Sequence, residues 1–433
     1  MTITTSYKIK IKGYNNIFNA TIAIYREALA FIINVIDAEW DVIGCSGNST
    51  AQFNAAERLI HSTSKNTAAY AGFDNLFYKF PSYLRRAAIS ESIGVVSSYR
   101  SNTDNCINNG RKGNPPKLRL DHYAFPCLFH GNMFKWLNNY AAKIKIRHKN
   151  DWVWFTVALR KSDADYIARH KARAIESSPM LAKIGRSWYL RFAFTETAAL
   201  SDNQGVITAV DLGVNNAAVC CAMLPDGTVI GRKIVSFPVE KDRMVHKLNK
   251  LKKAQQHGAK STPRLWAYVN NYNRGISEGT ARAIIDFAIK YNCDVIVLES
   301  LNLKGKKRGS KKQQLHLWRN KAVLAMVTSK AHLLGMRVST VCAWGTSKLA
   351  FDGSGVVVRD EGNHSLCTFV SGKRYHCDLS ASYNIGARYY IREILKSLPE
   401  TVRSACEAKV PRIAKRTTCT LSDLFNLHAA LAA

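Results

Sequence analysis

The order of secondary-structure patterns from residue 205 onward restricts the fold more than any other feature. Two short apolar segments, VITAVDLG from Val206 and CDVIVLES from Cys293, are typical of buried strands. A long helical pattern over 239–291 lies between them. A strand, helices and a second buried strand, in this order, predict an α/β class in which the two apolar strands are neighbours.

Turn signals divide this region further. Asp226-Gly227 predicts a hairpin between the segments AAVCCAML and TVIGRKIV. Breaks in the long helical stretch are expected near Thr262-Pro263 and near Arg274-Gly275. A helix near 318–335, a strand over 336–344 and a helix beginning near Asp378 complete the expected order.

The first 204 residues show a different pattern of predicted secondary structure. Alternating or apolar runs predict strands over 7–14, 142–148, 152–159 and 187–194, and helical patterns cover 17–36 and 81–100. We therefore expect a strand-rich module that a helical insert interrupts.

The chain is strongly basic. Its 433 residues contain 62 Lys plus Arg against 31 Asp plus Glu, a formal charge of +31, and 47% of the residues are hydrophobic. Such a composition predicts a folded protein and excludes disorder for most of the chain. An excess of cations of this size favours a polyanionic partner, because each Lys or Arg that neutralises a phosphate releases condensed counterions. Nucleic acid is the first candidate.

Other signals concern the compartment. No continuous apolar run is expected to reach the roughly 18 residues needed to cross a bilayer, and the N-terminus does not resemble a signal peptide. The 11 cysteines show no regular spacing, which disfavours a disulfide framework. We expect a soluble, cytoplasmic protein without a membrane partner, associated with the nucleoid if it is bacterial.

Cations are concentrated in a few segments. Two strand-like segments place them at every second position, and residues 301–350 contain 11 Lys or Arg and no acid. The candidate nucleic-acid contacts are Lys8, Lys10, Lys12, Lys143, Lys145, Arg147, Lys304, Lys306, Lys307, Arg308, Lys348, Lys373 and Arg374. The alternative for each strand is an ordinary solvent-facing surface.

Three acids occupy notable positions in the α/β order. Asp211 ends the first apolar strand, Glu299 ends the second, and Asp378 opens a helix. If the strands are neighbours, these carboxylates meet outside the carboxyl ends of the sheet. Their mutual repulsion would be relieved by a hard divalent cation, Mg²⁺ or alternatively Mn²⁺. The pattern predicts a phosphodiesterase site with these three residues as metal ligands and catalytic groups.

The segments around these acids resemble a known family. AVDLGVNNAAV, DVIVLESLNLKG and CDLSASYNIGAR look like the three split RuvC motifs of TnpB, the transposon-encoded RNA-guided nucleases related to compact type V CRISPR effectors. NRGISEGTARAIIDFA (273–288) and GTSK (345–348) are similar to the same family. The similarity covers most of 185–395.

This resemblance implies an RNase H-like (RuvC) nuclease that cleaves double-stranded DNA after a guide RNA pairs with one strand. It also implies a β-barrel-like wedge module with a helical recognition insert, which reads a short motif beside the target. The implied segments are a wedge over 1–16 and 111–204, a helical insert over 17–110, nuclease motifs I and II over 205–341, a degenerate zinc-ribbon-like insert over 342–377, motif III over 378–398, and an unassigned C-terminal segment over 399–433.

The sequence departs from the family at the zinc ribbon. Three of the four expected ligand positions hold Ala350, Gly353 and Val370, and only Cys367 remains. One thiolate cannot complete a tetrahedral site, so we expect no zinc. The nearby residues that could form a substitute site are Cys342, His364, Cys367, His376 and Cys377. We expect the insert to be held instead by packing of Leu349, Phe351, Leu366 and Phe369.

Two other functions fit the same fold. One is a non-catalytic, RNA-guided DNA-binding regulator, which natural loss of the acids would produce. The other is a RuvC-like nuclease that recognises DNA structure without a guide. The presence of all three acids and of the extra basic strands ranks both below the RNA-guided endonuclease. The sequence leaves open the oligomeric state, the guide and the adjacent motif.

Overall fold

The computed structural model describes residues 2–13, 16–108, 110, 114–120, 124–201, 205–301, 317, 319–363 and 365–432. The chain divides into two compact units, Thr2–Glu196 and Thr197–Ala433. We call them the N-terminal unit and the C-terminal unit and describe each by itself.

The N-terminal unit combines short strands with a group of helices. Its strands are β1 (Thr2–Lys10), β2 (Phe134–Asn138), β3 (Ala141–His148), β4 (Asp151–Ala158), β5 (Ile175–Glu176), β6 (Met180–Ile184) and β7 (Ser187–Thr197). Its helices are α1 (Phe18–Ala38), α2 (Trp40–Ile43), α3 (Ser49–Ile60), α4 (Gly72–Leu76), α5 (Ser82–Asn108) and α6 (Lys161–His170).

These strands form two sheets. One has the order β1-β7-β5, with β6 also paired to β7, and the other has the order β2-β3-β4. An isolated bridge between Ile11 and Leu159 connects the end of β1 to the end of β4. No closed barrel is found among the residues that the structure describes, so the expected barrel-like form of the wedge is not confirmed.

Both basic strands alternate as their sequences predict. Ile9 and Ile11 are buried while Lys8 and Lys12 are exposed. In β3, Ala142, Ile144 and Ile146 are fully buried, whereas Lys143 is exposed and Lys145 and Arg147 are partly exposed. The apolar residues of both strands belong to one core, which also contains α1 and α5.

Helix α1 corrects one expectation. By length and composition, Phe18–Ala38 is apolar enough to cross a membrane, so the expectation that no apolar run reaches this length is wrong. Its apolar face, which includes Tyr25, Leu29, Ile32 and Ile36, is buried in the core of the unit. Polar residues such as Asn19 and Arg26 interrupt the run, which is why a search for a continuous apolar segment missed it.

The C-terminal unit has the expected α/β order. Its strands are β8 (Ile207–Asp211), β9 (Ala218–Met223), β10 (Val229–Val235), β11 (Val295–Ser300), β12 (Arg337–Cys342), β13 (Val358–Arg359), β14 (Leu366–Thr368) and β15 (Arg374–His376). Its helices are α7 (Pro238–Gln256), α8 (Pro263–Lys290), α9 (Asn320–Leu333), α10 (Cys377–Ser397), α11 (Glu400–Lys409) and α12 (Leu421–Ala432), with a 3₁₀ helix over Pro411–Lys415.

Five of these strands form the central sheet, in the order β10-β9-β8-β11-β12. The hairpin strands pair antiparallel to each other and to β8, whereas β8, β11 and β12 run parallel. β8 and β11 are buried along almost their whole length because both of their faces are covered. The two apolar strands are neighbours, as the sequence order predicts.

Helices cover the two faces of this sheet. On one face, Val210 and Leu298 pack with α8 and α9. On the other face, Ala209 and Val297 pack with α10 and α12. Side chains alternate along a strand, so Asp211 and Glu299, which follow Val210 and Leu298, point toward this second face.

One expected helix break is wrong. The chain does break before Pro263, which lies in the first turn of α8, but α8 continues through Arg274-Gly275 to Lys290. A Cβ at Gly275 would meet nothing within 4 Å, and Arg274 forms an ion pair with Glu278 one turn later. Helical hydrogen bonding and the buried face of α8 override the low helix propensity of a single glycine.

The insert before α10 has a small apolar core of its own. β13, β14 and β15 form a three-stranded sheet, and Phe351 and Phe369 pack there at a ring distance of 5.4 Å. Two of the four expected packing residues therefore lie in this core, while Leu349 and Leu366 are partly exposed and outside it.

The close contact at Gly386 gives a stability test. An added Cβ there would lie 2.9 Å from Met223 Sδ and 3.3 Å from Ala209 Cβ, so Gly386→Leu should lower the free energy of unfolding by about 1–3 kcal/mol. Gly275→Leu, in the exposed part of α8, is the matched control and should leave stability unchanged or raise it slightly. Denaturant titration of the full chain measures both, and equal effects would contradict the packing of α10 on the sheet.

Candidate functional site

Two of the three candidate acids lie on adjacent parallel strands. Val210 of β8 is opposite Leu298 of β11. Asp211 and Glu299, each one position further along, therefore lie side by side at the carboxyl edge of the sheet. Glu299 is only 7% exposed, whereas Asp211 keeps part of its surface open to solvent.

The third acid comes from a helix. Asp378 is in the first turn of α10, which packs on the face of the sheet toward which Asp211 and Glu299 point. The structure therefore brings together three acids that are far apart in the chain.

Their charges influence one another. Burial is the main reason that the pKa of Asp211 lies well above its ordinary value, and the negative charges of Glu299 and Asp378 raise it further. The guanidinium of Arg359, in β13, acts in the opposite direction. Among the described residues, the negative charges around Asp211 therefore outweigh the effect of Arg359, which favours the uptake of a positive ion.

Arg359 is not among the site residues predicted from the sequence. It lies in the irregular insert, 19 positions before Asp378 in the sequence, and no spacing rule connects it to the acids. Only the folding of the insert beside α10 gives it an effect on Asp211.

Glu299 is held by partners behind the site. Burial raises the pKa of Glu299, and a hydrogen bond donated by Thr346 Oγ1 to Glu299 Oε1, together with the charge of Arg388, opposes the rise. Thr346 belongs to the GTSK segment and is 2% exposed. The Thr346 hydroxyl and the Arg388 charge both stabilise the ionised form of Glu299.

Arg388 and Asn384 connect this layer to the rest of the unit. Arg388 donates to the carbonyls of Cys342, Trp344 and Cys419 at 2.8–2.9 Å and is 4% exposed. Asn384, which is fully buried, donates from Nδ2 to the carbonyl oxygens of Thr346 at 3.0 Å and Leu349 at 2.9 Å. Its role here is to fix the segment that carries Thr346.

The C-terminal segment 399–433 takes part in the same layer. The backbone N–H of Leu421 donates to Asn384 Oδ1 at 3.2 Å, and the carbonyl of Cys419 accepts from Arg388. Leu424 and Leu427 of α12 are buried against α10. The segment that the sequence left unassigned therefore supports the helix that carries Asp378.

A loop after β8 holds the third acid. Asn216 Nδ2 donates to Asp378 Oδ2 at 2.9 Å. Lys241, from the first turn of α7, donates to the carbonyl oxygen of Val214 at 2.8 Å and to that of Asn215. Burial lowers the pKa of Lys241.

An apolar cavity of about 110 Å³, lined by residues such as Leu212 and Met244, lies behind the loop. Sequence reasoning found neither Asn216 nor Lys241, because neither belongs to an apolar pattern or an acidic motif.

The donor chemistry fits a hard divalent cation. In the part of the chain that the structure describes, no three His, Cys, Asp or Glu side chains are already arranged to enclose a metal ion. Mg²⁺ usually keeps several waters and takes only one or two carboxylates together with phosphate oxygens. Neighbouring carboxylates are therefore suited to this ion without forming a closed cage, and burial together with the charges of Glu299 and Asp378 already raises the pKa of Asp211.

The thiols near the site lie in an apolar environment. Cys367 and Cys377 are each 1% exposed in the small core of the insert, and burial is the main cause that raises the pKa of Cys367 to about 12. His364 lies outside the described residues. The absence of zinc remains a prediction.

The predicted nucleic-acid contacts differ in their surroundings. Arg374 forms a 2.5 Å ion pair with Asp360, and Lys373 Nζ lies 4.8 Å from the ring centre of Phe351. Lys348 is exposed. Lys10 is partly exposed. Four further candidates, Lys304, Lys306, Lys307 and Arg308, lie outside the described residues.

Comparison with known proteins supports the fold. A family model described as the Aq_aa04 family matches residues 3–148, roughly a third of the chain. No curated protein matches the sequence. The mini-RNA-guided endonuclease CRISPR-Cas_phi3 is similar with a TM-score of 0.50 and 11% identity, over 89% of this chain and 92% of that one.

Two further solved structures are similar at lower scores. One is the Cas12f1–sgRNA–target DNA complex, with a TM-score of 0.33 and 15% identity over 88% of this chain and 98% of that one. The other is Alicyclobacillus acidoterrestris C2c1 in complex with single-guide RNA, with a TM-score of 0.39 and 10% identity over 84% of this chain and 65% of that one. The descriptions of these three structures do not name TnpB, so that relationship remains a prediction.

The buried amide of Asn384 gives a second test. Asn384→Asp replaces a group that donates to two carbonyls by an acceptor, so the free energy of unfolding should fall by about 1–3 kcal/mol. Asn271→Asp, on the exposed face of α8, is the control and should change it by less than about 0.5 kcal/mol. Urea titration measures both, and a stable Asn384→Asp protein would contradict the hydrogen bonds assigned here.

Proposed function

We propose that this chain is an RNA-guided DNA endonuclease that hydrolyses phosphodiester bonds with a divalent metal at Asp211, Glu299 and Asp378. The observation that carries the proposal is the juxtaposition of these acids, with the pKa of Asp211 raised by burial and further by the charges of the other two. Repulsion between adjacent carboxylates is unfavourable for a purely structural arrangement. In a metal-dependent site, the bound cation compensates for this repulsion.

The residues would act as follows. Asp211, Glu299 and Asp378 would hold Mg²⁺, or alternatively Mn²⁺, which when bound lowers the pKa of an attacking water and stabilises the departing oxygen. Thr346 keeps Glu299 in one orientation through its hydroxyl. Asn216 occupies one oxygen of Asp378, which leaves the other oxygen available. These contacts orient the acids before substrate arrives, which is the main protein contribution to such a site.

The substrate class follows from charge and fold. A formal charge of +31 favours a nucleic-acid partner over small molecules. The fold is similar to that of a mini-RNA-guided endonuclease at a TM-score of 0.50. Together with the resemblance of the three acidic segments to TnpB motifs, these observations support a guide RNA and a double-stranded DNA target as partners.

Replacement of the acids tests the catalytic part. Asp211→Ala, Glu299→Ala and Asp378→Ala should each reduce metal-dependent cleavage of a guide-matched DNA by about 1,000-fold or more and leave RNA binding largely intact. Glu278→Ala, an exposed acid of α8, should cleave like the original protein. Gel analysis of DNA cleavage with and without Mg²⁺ measures the effect. Cleavage by Asp211→Ala within tenfold of the original would remove the site from the proposal.

Sequencing of co-purified RNA tests the guided part. Protein purified from cells that carry its native flanking DNA should contain one discrete RNA species. RNA bound without any cleavage would favour the non-catalytic regulator. Cleavage without a discrete RNA would favour the unguided nuclease.

A further inference from the structure

The sheet β2-β3-β4 of the N-terminal unit has an outward face of unusual composition. Lys143, Lys145 and Arg147 of β3 point away from the core, because Ala142, Ile144 and Ile146 between them are fully buried. Register places their direct neighbours on the same face. We call this set the outer face, and it consists of Lys135, Lys143, Lys145, Arg147, Trp152, Trp154 and Thr156.

Like charges lie directly opposite one another there. Lys135 of β2 pairs with Lys143 of β3. Lys145 and Arg147 continue the positive row along β3. Two cations opposite each other destabilise a sheet, and a face maintained for solubility would alternate signs.

No acid relieves this repulsion in the described part of the chain. The only charged groups on the outer face are its four cations, and the one polar partner found for their side chains is Asn150, whose Oδ1 accepts from Arg147 Nη2 at 3.3 Å. The nearby Asp151 is on the opposite side of β4 and pairs with Lys79 at 3.7 Å. Among the described residues, the outer face therefore has no negative partner.

Two tryptophans flank the positive row. Trp154 is directly opposite Lys145 and is 39% exposed, and Lys135 Nζ lies 5.2 Å from the centre of its ring. Trp152 is opposite Arg147 and is partly covered by Phe80, with the ring centres 5.9 Å apart. Trp154 thus offers an accessible aromatic surface within a row of cations.

We propose that the outer face binds an unpaired segment of RNA, with a base stacked on Trp154 and phosphates beside Lys143 and Lys145. Base–aromatic stacking combined with a positive track is how proteins hold single strands. A duplex keeps its bases stacked inside, so it has no use for the Trp154 ring. The inference rests on the proposed function for the choice of RNA, because a guide accompanies the protein permanently and would keep this indole covered.

An anionic membrane is the other surface that combines Trp with Lys. Membrane insertion needs an apolar surface that projects beyond the charges. Trp154 is the exposed large apolar residue that the register places on this side of the sheet, and the cations lie beside it. The outer face therefore fits a strand of alternating phosphates and bases better than a lipid surface.

Removal of the aromatic surface is the first test. Trp154→Ala in the full chain should weaken binding of a fluorescein-labelled 12-nucleotide RNA by about tenfold, measured by anisotropy, and Trp154→Phe should restore most of the affinity. Trp266→Ala, a tryptophan of α8 with 37% exposure, is the matched control and should bind like the original. A melting temperature within the error of the original verifies that each variant is folded.

The cations give an independent signature. The double change Lys143→Gln with Lys145→Gln should lower the slope of log affinity against log salt by about 1.4, since each phosphate contact on a single strand contributes about 0.7. Lys79→Gln, a cation already paired with Asp151, should leave the slope unchanged. Trp154→Ala should weaken binding without a change in slope, because stacking releases no counterions.

Three outcomes would overturn the inference. The first is that Trp154→Ala binds the RNA as tightly as Trp266→Ala does. The second is that Trp154→Ala loses as much affinity for duplex RNA as for single-stranded RNA. The third is that a DNA oligonucleotide of the same sequence binds more tightly than the RNA. Binding of vesicles containing phosphatidylserine that depends on Trp154, with RNA binding unaffected, would assign the face to lipid. These assays need no cleavage, so a failed Asp211→Ala test leaves them interpretable.

Discussion

The parallel pairing of β8 with β11 is the constraint on which the rest of the C-terminal unit depends. It places Asp211 beside Glu299 at the edge where the strands end, and it points both side chains toward α10. The other contacts of the site compensate for the charge of two carboxylates in adjacent positions, of which Glu299 is buried and Asp211 is partly exposed. Thr346 and Arg388 stabilise the charge of Glu299, and Arg359 partly offsets the charge around Asp211. The remaining excess of negative charge is what a divalent cation would neutralise.

The supporting layer explains why so much of the chain is needed for three acids. Asn384 and Arg388, both on α10, tie the helix to the segment after β12 and to the segment before α12. Both side chains are buried, and each satisfies several backbone carbonyls that would otherwise lose their hydrogen bonds. The position of Asp378 is therefore fixed from behind by groups that never approach a substrate. The outer face of the N-terminal unit would have a different role. Its surface cations repel one another, and a bound polyanion would relieve this repulsion.

The sequence predicts the α/β order well because strands that are buried on both of their faces give continuous apolar runs, as in VITAVDLG and CDVIVLES. It predicts the neighbourhood of Asp211 and Glu299 for the same reason. It fails at Gly275, where tertiary packing outweighs the propensity of one residue, and at α1, where polar residues hide a long apolar face. The roles of Asn216, Lys241 and Arg359 could not be predicted from the sequence. They depend on interactions across 162, 27 and 148 positions, respectively, that no local pattern records.

Anomalous diffraction from crystals soaked in Mn²⁺ would locate the bound cation without reference to activity. We expect an anomalous peak at the carboxyl edge of β8 and β11, within about 2.5 Å of a carboxylate oxygen of Asp211 and of at least one of the other two acids. A peak elsewhere, with none at this edge at saturating Mn²⁺, would show that the three acids do not form the metal site.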